Sequence, residues 1–188
     1  MYDIITNQEV TIMSTLKLST YEIKQLISLK EDYWENNFDT NCYAFALGLD
    51  IPETDIIYNA YQPGIIGSII YDIPAKRLIN MSYEERIILD MKALKIQFNE
   101  ALPNEETKYS YIKNSIEKTW IIALFSNDRD FHFARKNYDG KWYHKIGYFG
   151  IPTAYDSNHK IINNVASCSI RDYQYIKSYR LQYKIKNI

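Results

Sequence analysis

One turn limits this chain more than any other feature. Asn137-Tyr138-Asp139-Gly140 separates Asp130-Phe131-His132-Phe133-Ala134-Arg135-Lys136 from Lys141-Trp142-Tyr143-His144, and both runs suit extended strands. Asn in the first place accepts backbone N–H bonds, and Gly in the fourth takes the left-handed conformation that closes a three-residue hairpin loop. With that loop Asn137 faces Lys141, Ala134 lies opposite His144, and His132 lies opposite Ile146. His132 and His144, two of the chain's three histidines, then share one face as diagonal neighbours roughly 7 Å apart or less. A two-residue Asp139-Gly140 turn would send them to opposite faces.

Ninety residues before His132, polar residues stop and a short apolar helix starts, in Phe38-Asp39-Thr40-Asn41-Cys42-Tyr43-Ala44-Phe45-Ala46-Leu47-Gly48. Asp39 or Thr40 is the expected cap and Gly48 the natural exit. A cysteine in the first turn faces unpaired N–H groups and the positive end of the helix dipole, so its thiol is expected to titrate low and to serve as a nucleophile. The Cys42 amide is a candidate oxyanion donor. Tyr33, Asn37 and Asn41 stand close enough upstream to add a second donor or to position substrate.

Cysteine, then histidine on a strand, then a polar residue on the next strand is the order of papain-like cysteine hydrolases. The histidine segment resembles that of NlpC-type cysteine peptidases, in which a second histidine about a dozen residues on completes a Cys–His–His triad. Asn41-Cys42-Tyr43-Ala44-Phe45-Ala46-Leu47 and Asp139-Gly140-Lys141-Trp142-Tyr143-His144-Lys145 are also similar to bacterial and phage NlpC-like proteins with an Asn-Cys-Tyr start. The resemblance implies Cys42 as nucleophile, His132 as base and His144 as its orienter. It further implies an α+β fold in which N-terminal helices, with the nucleophile at a helix start, pack on a C-terminal antiparallel sheet. The implied reaction is cleavage of an amide bond in a peptide or protein, cell-wall peptide included, through a thioester on Cys42. The family's usual Asp-Cys-Ser-Gly-Phe is Asn41-Cys42-Tyr43-Ala44-Phe45 here, so wall-peptide specificity does not carry over. The long Cys-to-His separation implies an insertion at about 50–115. A papain-like domain acting as a structural or binding component, of a phage particle or as a host-directed effector, is the alternative.

The 188 residues fit one domain, 1–188, and 46% hydrophobic content supplies a core. A net charge of −1 and a pI of about 6.3 argue against a nucleic-acid surface. Two distant cysteines make neither a disulfide framework nor a zinc spacing; Cys42, His132 and His144 lack a fourth ligand, and no cofactor is called for. Cys168 reads as a buried structural thiol and His159 as solvated. Asp139 belongs to the turn, and Asp156 competes with His144 for the orienting place. Arg129, Arg135, Lys136, Lys141 and Lys145 read as a solvated face, with contact to an anionic substrate as the other use. Without a signal peptide or a membrane-spanning run, the product is expected in the cytoplasm at synthesis, with host delivery or virion association as later destinations.

A capping-box spacing at Ser19-Thr20-Tyr21-Glu22 predicts a helix to about Glu35, and Ser82-Tyr83-Glu84-Glu85 predicts a second. The second carries Ile87, Ile88, Met91, Leu94 and Phe98 on one stripe. Between them the Pro- and Gly-punctuated stretch from Ile51 to Pro74 predicts loops with short extended pieces. Glu105 to Ile116 predicts a short helix, Lys118 to Ser126 a central strand, and the alternation from Ser178 a half-exposed one.

Overall fold

The apolar run Trp120-Ile121-Ile122-Ala123-Leu124-Phe125 forms the middle of a six-stranded antiparallel sheet. In the computed structural model residues 40–49, 62–106, 108–112, 115–147 and 150–186 are described. The helix expected over 19–35 lies outside them. The described residues fall into two compact units, one containing 49 and 62–95, the other 40–48 and 96–186. Of the stretch expected as an insertion, 62–95 builds the first unit, whereas the residues from 96 onward enter the sheet.

In the first unit, α2 (Ile65–Ile70), α3 (Ala75–Ile79) and α4 (Tyr83–Ala93) follow one another. Ser82 and Glu85 cap α4 reciprocally, as their spacing predicts. Helix α2 replaces the loop expected there, because its first amides find a distant partner: the buried Asp90 carboxylate of α4 accepts from Gly64 N–H at 2.6 Å and Gly67 N–H at 2.7 Å. Gly67 is required for that approach, since a Cβ there would stand 2.4 Å from Leu89 Cγ. Helix α4 stops at Ala93, and Lys95 takes φ 57, so Phe98 leaves the helical stripe and joins a strand.

The second unit opens with α1 (Cys42–Leu47) and continues into β1 (Gln97–Ala101), β2 (Lys108–Ile112), β3 (Ser115–Ser126), β4 (Phe131–Lys136), β5 (Trp142–His144), a 3-10 turn (Val165–Ser167) and β6 (Gln174–Lys186). The strand order is β1-β6-β3-β4-β5, with β2 on β3. Strand β6 pairs with β3 along its length, while β2 takes Ser115–Thr119 and β4 takes Ile121–Ser126 on the other edge. That division explains why β2 supplants the helix expected at 105–116: the backbone groups at the start of β3 need a ladder partner, and that requirement outweighs local propensity. Mixed helix and antiparallel sheet is therefore the observed class. No helix of the described residues is long and apolar enough to cross a membrane.

The two faces of β4 meet different material. Its register with β3 sets Leu124 beside Phe133 and Phe125 beside His132. On the first face α1 packs, with the Tyr43 ring 4.9 Å from Phe133 and 6.5 Å from Phe131, and Trp120 Nε1–H donating to Ala46 C=O at 3.1 Å. On the second face Ile121, Ala123, Phe125, Ala134, Trp142, Ile162, Val165 and Ile170 form the core around the histidines.

Candidate functional site

The hairpin has the three-residue loop. Asn137 N–H donates to Lys141 C=O at 2.9 Å, Gly140 N–H to Asn137 C=O at 3.0 Å, and Gly140 takes φ 80. Ala134 pairs with His144, so His132 and His144 point to one side. Their rings meet edge to face at 5.0 Å, with His132 Nε2 2.9 Å from His144 Nδ1.

The tautomers follow from the far end of this contact. His144 Nε2 lies 2.9 Å from the Tyr155 carbonyl, which can only accept, so Nε2 carries the hydrogen. Burial holds His144 below its ordinary pKa and so neutral, which makes its Nδ1 an acceptor. His132 must then donate from Nε2 and keeps a lone pair on Nδ1. Burial first, then the unfavourable interaction with His144 that a protonated pair would suffer and the Arg171 charge, push His132 down to about 3. The pair is two neutral imidazoles ordered by one backbone carbonyl.

No sequence pattern singles out Tyr173, yet its ring stacks on His132 at 5.5 Å and 27°. Its hydroxyl donates to Asp130 Oδ2 at 2.5 Å, and Asp130 Oδ1 accepts from Phe131 N–H at 2.8 Å. A Tyr near a strand start carries no motif. The Tyr155 carbonyl has no sequence signal at all, because every residue offers one.

Cys42 is the first residue of α1, but the cap is Asn41 in place of Asp39 or Thr40: Asn41 Oδ1 accepts from Tyr43 N–H at 3.1 Å and Ala44 N–H at 3.0 Å. Asn41 is thereby committed to the helix end, leaving the Cys42 N–H outside the cap's reach. Tyr33 and Asn37 lie outside the described residues. Gly48 closes the helix with φ 69.

The thiol itself departs from expectation. Cys42 is 6% exposed, and burial pushes it up to about 12. The N–H groups of Phe133, Tyr43 and Cys42 pull the other way, and the Asp130 charge adds to the rise. A helix of one and a half turns offers little dipole, so desolvation wins. Among the described residues no hydrogen bond joins the Cys42 sulfur to either imidazole, and no group of three His, Cys, Asp or Glu converges as metal ligands.

Where the sulfur sits follows from the β4–β5 ladder. Asn137 N–H points at β5, so by alternation Arg135 and Phe133 N–H point the same way. Strand β5 has left β4 after His144, whose own N–H and C=O turn to Thr153, both at 2.9 Å. The Phe133 N–H is thus past the end of the ladder, and there it acts on Cys42. No known protein family, curated protein or solved structure matches the chain.

The other candidates resolve simply. Asp139 accepts from Lys141 N–H and Tyr143 Oη–H, both at 2.9 Å, as a turn residue. Asp156 caps its own loop, accepting from Asn158 and Lys160 N–H at 2.9 Å and from Ser169 N–H at 3.2 Å. It does not bond His144; the Tyr155 carbonyl does. His159 is exposed, with φ 59. Cys168 is half-buried, its Sγ–H donating to Val165 C=O at 3.2 Å, and burial pushes it up to about 11.

The basic residues are not one solvated face. Arg129 and Lys141 are exposed, but Arg135, Lys136 and Lys145 are buried. Arg135 lies over the Trp120 ring, Lys136 over Trp142 while donating to Glu105 C=O at 2.6 Å, and Lys145 donates to Gly147 C=O at 3.2 Å. Aliphatic stems cover apolar surface while the charged ends find carbonyls and rings.

Proposed function

We propose that Cys42, His132 and His144 are the working group of a thiol hydrolase of papain-like, NlpC-like organisation that cuts an amide bond in a peptide or protein. The observation that carries this reading is the order of protons: a carbonyl fixes His144, His144 fixes His132, and a lone pair is left at His132 Nδ1. The thiol is acted on by Asp130 and Phe133, which lie two residues before and one residue after His132 on the same strand entry.

In this mechanism the Cys42 proton passes to His132 Nδ1 as sulfur bonds to the substrate carbonyl carbon, and the oxyanion meets the Cys42 N–H. The imidazolium then gives the proton to the leaving nitrogen as the C–N bond breaks, and a thioester remains. Water then attacks the thioester as it gives a proton to His132 Nδ1, the C–S bond breaks, His132 returns that proton to the Cys42 sulfur, and the acid is freed. His144 stays neutral and holds the His132 ring in place. Cell-wall peptides are one substrate class for such a site, and a host-delivered or virion-associated protein is one setting for it.

A second reading is favoured by one observation. A thiol 6% exposed and raised by burial is what a papain-like structural or binding protein would hold. The two thiols separate the readings. On burial and basicity alone, the half-buried Cys168 should be alkylated first. A hydrolase requires Cys42 to react with iodoacetamide much faster than Cys168 at pH 6, as located by peptide mass. Slow labelling of both, or Cys168 first, rejects the hydrolase.

A further inference from the structure

The turn Ile170-Arg171-Asp172-Tyr173 brings Tyr173 onto His132 and closes with Tyr173 N–H donating to Ile170 C=O at 3.1 Å. Arg171 stands in it at φ 49, the left-handed region, where a residue with a Cβ is strained. Its N–H is held by Ser157 Oγ at 2.7 Å, and Ser157 N–H in turn donates to Ser169 C=O at 2.7 Å. Ser157 is two residues past Tyr155, whose carbonyl ends the imidazole chain. Arg171 is therefore pinned between the two segments that hold the two imidazoles.

The nearby acids are already engaged: Asp130 by Tyr173 and Phe131, Asp156 by three backbone N–H groups, and Asp172 by Asn127 Nδ2 at 3.0 Å. Among the described residues the Arg171 guanidinium has no ion pair or hydrogen bond, and the residue is exposed. Its charge reaches both imidazoles and opposes their protonation. A fixed cation beside a general base is a handicap unless a negative charge arrives with the substrate.

Resting on the hydrolase reading above, we infer that Arg171 is a specificity-determining residue that binds a substrate carboxylate, so that the preferred amides carry a carboxylate within about one residue of the scissile bond. The test uses the full chain and two matched reagents, N-iodoacetyl-glycine and N-iodoacetyl-glycinamide, which differ in one charge. Alkylation of Cys42 is followed by peptide mass, and the readout is the ratio of the two rates. The acid should react about three- to fivefold faster than the amide, the size expected for a pairing at an exposed site. Arg171→Gln should bring the ratio to about one, Arg171→Lys should keep part of the preference, and salt should erode it. Arg171→Gly removes the charge while relieving the backbone, so it should lower the ratio without loss of thermal stability. A ratio unchanged in Arg171→Gln, with Cys42 labelled by both reagents, overturns the assignment of Arg171 alone. Labelling of Cys168 and not Cys42 by both overturns the hydrolase and this inference together.

Discussion

The histidine hairpin and the start of α1 are both buried, and burial has opposite meanings in them. Around His132 and His144 desolvation outweighs the pull of the Tyr155 carbonyl toward a protonated His144 and keeps both rings neutral, in tautomers that the hydrogen bonds select. Around Cys42 desolvation again wins but toward the less reactive state: amides that favour thiolate are present, while a nearly dry setting and the Asp130 charge hold the proton on sulfur. An imidazole can be kept neutral in the interior by burial, with hydrogen bonds choosing its tautomer. A thiolate needs solvation or a compensating cation, and in this arrangement Cys42 keeps its proton.

The sharpest break between the two regions comes from covalent labelling. On the hydrolase reading Cys42→Ala should abolish trapping by acyl or alkylating probes at pH 6, while costing only about 1 kcal/mol of stability for a small buried side chain. His132→Ala should reduce trapping nearly as far. If Cys42→Ala leaves probe labelling intact, the α1 start has no chemical role.

Next in size, His144→Ala should cost about 2–4 kcal/mol in denaturant unfolding. It removes a 2%-exposed ring and strands a donor on His132 and the carbonyl of Tyr155. His144→Gln should recover part of that loss. Equal stability of His144→Ala and wild type would show that the imidazole chain is not a fixed element.

The pH dependence separates the regions by direction. His132 lies below its ordinary value in the folded chain, so the unfolded chain binds the extra proton first. The stability it contributes is complete above the ordinary histidine pKa of 6.5 and is lost as pH falls toward about 3. Within that window the slope from His132 should approach about 1.4 kcal/mol per pH unit, and His132→Gln should flatten it. Cys42 behaves oppositely. Raised from 9.0 to about 12, it loses its contribution as pH climbs through that range, and Cys42→Ala should remove that alkaline share. Unfolding free energies from pH 3 to 10 read the acid slope and the onset of the alkaline one.

The smallest expected effects are local. Asn41→Ala should cost about 1 kcal/mol by removing the cap. Gly140→Ala should cost about 1 kcal/mol through φ 80 alone, since a Cβ there would meet nothing within 4 Å. A much larger loss at Asn41 would mean that the cap also holds the thiol in place.

These contrasts match what was legible in the sequence. Asn137 and Gly140 encode the hairpin locally, so loop length, register and the shared face of the histidines could all be read from a few residues. The capping box at Ser82 and Glu85 was equally local. What escaped depended on distant partners: α2 on Asp90 of α4, β2 on the open edge of β3, the burial of Arg135, Lys136 and Lys145 on aromatic rings and carbonyls. The thiol's proton affinity escaped for the same reason, since helix-start chemistry is visible in Thr40-Asn41-Cys42 but the dryness around it is not. The resemblance to NlpC-type peptidases remains a proposal about chemistry.

The bond from His144 to the Tyr155 carbonyl has a consequence for any mutational scan. The tyrosine side chain is 52% exposed, while the atom that orders both imidazoles belongs to the backbone. Replacing the side chain leaves that atom where it was, so position 155 should tolerate most residues and score as dispensable. The contribution would surface only through changes that redirect the main chain, such as Tyr155→Pro, which lacks the N–H that donates to Thr153 Oγ1 at 3.2 Å. One of the site's governing groups is thus hidden from alanine scanning, because no side chain carries it.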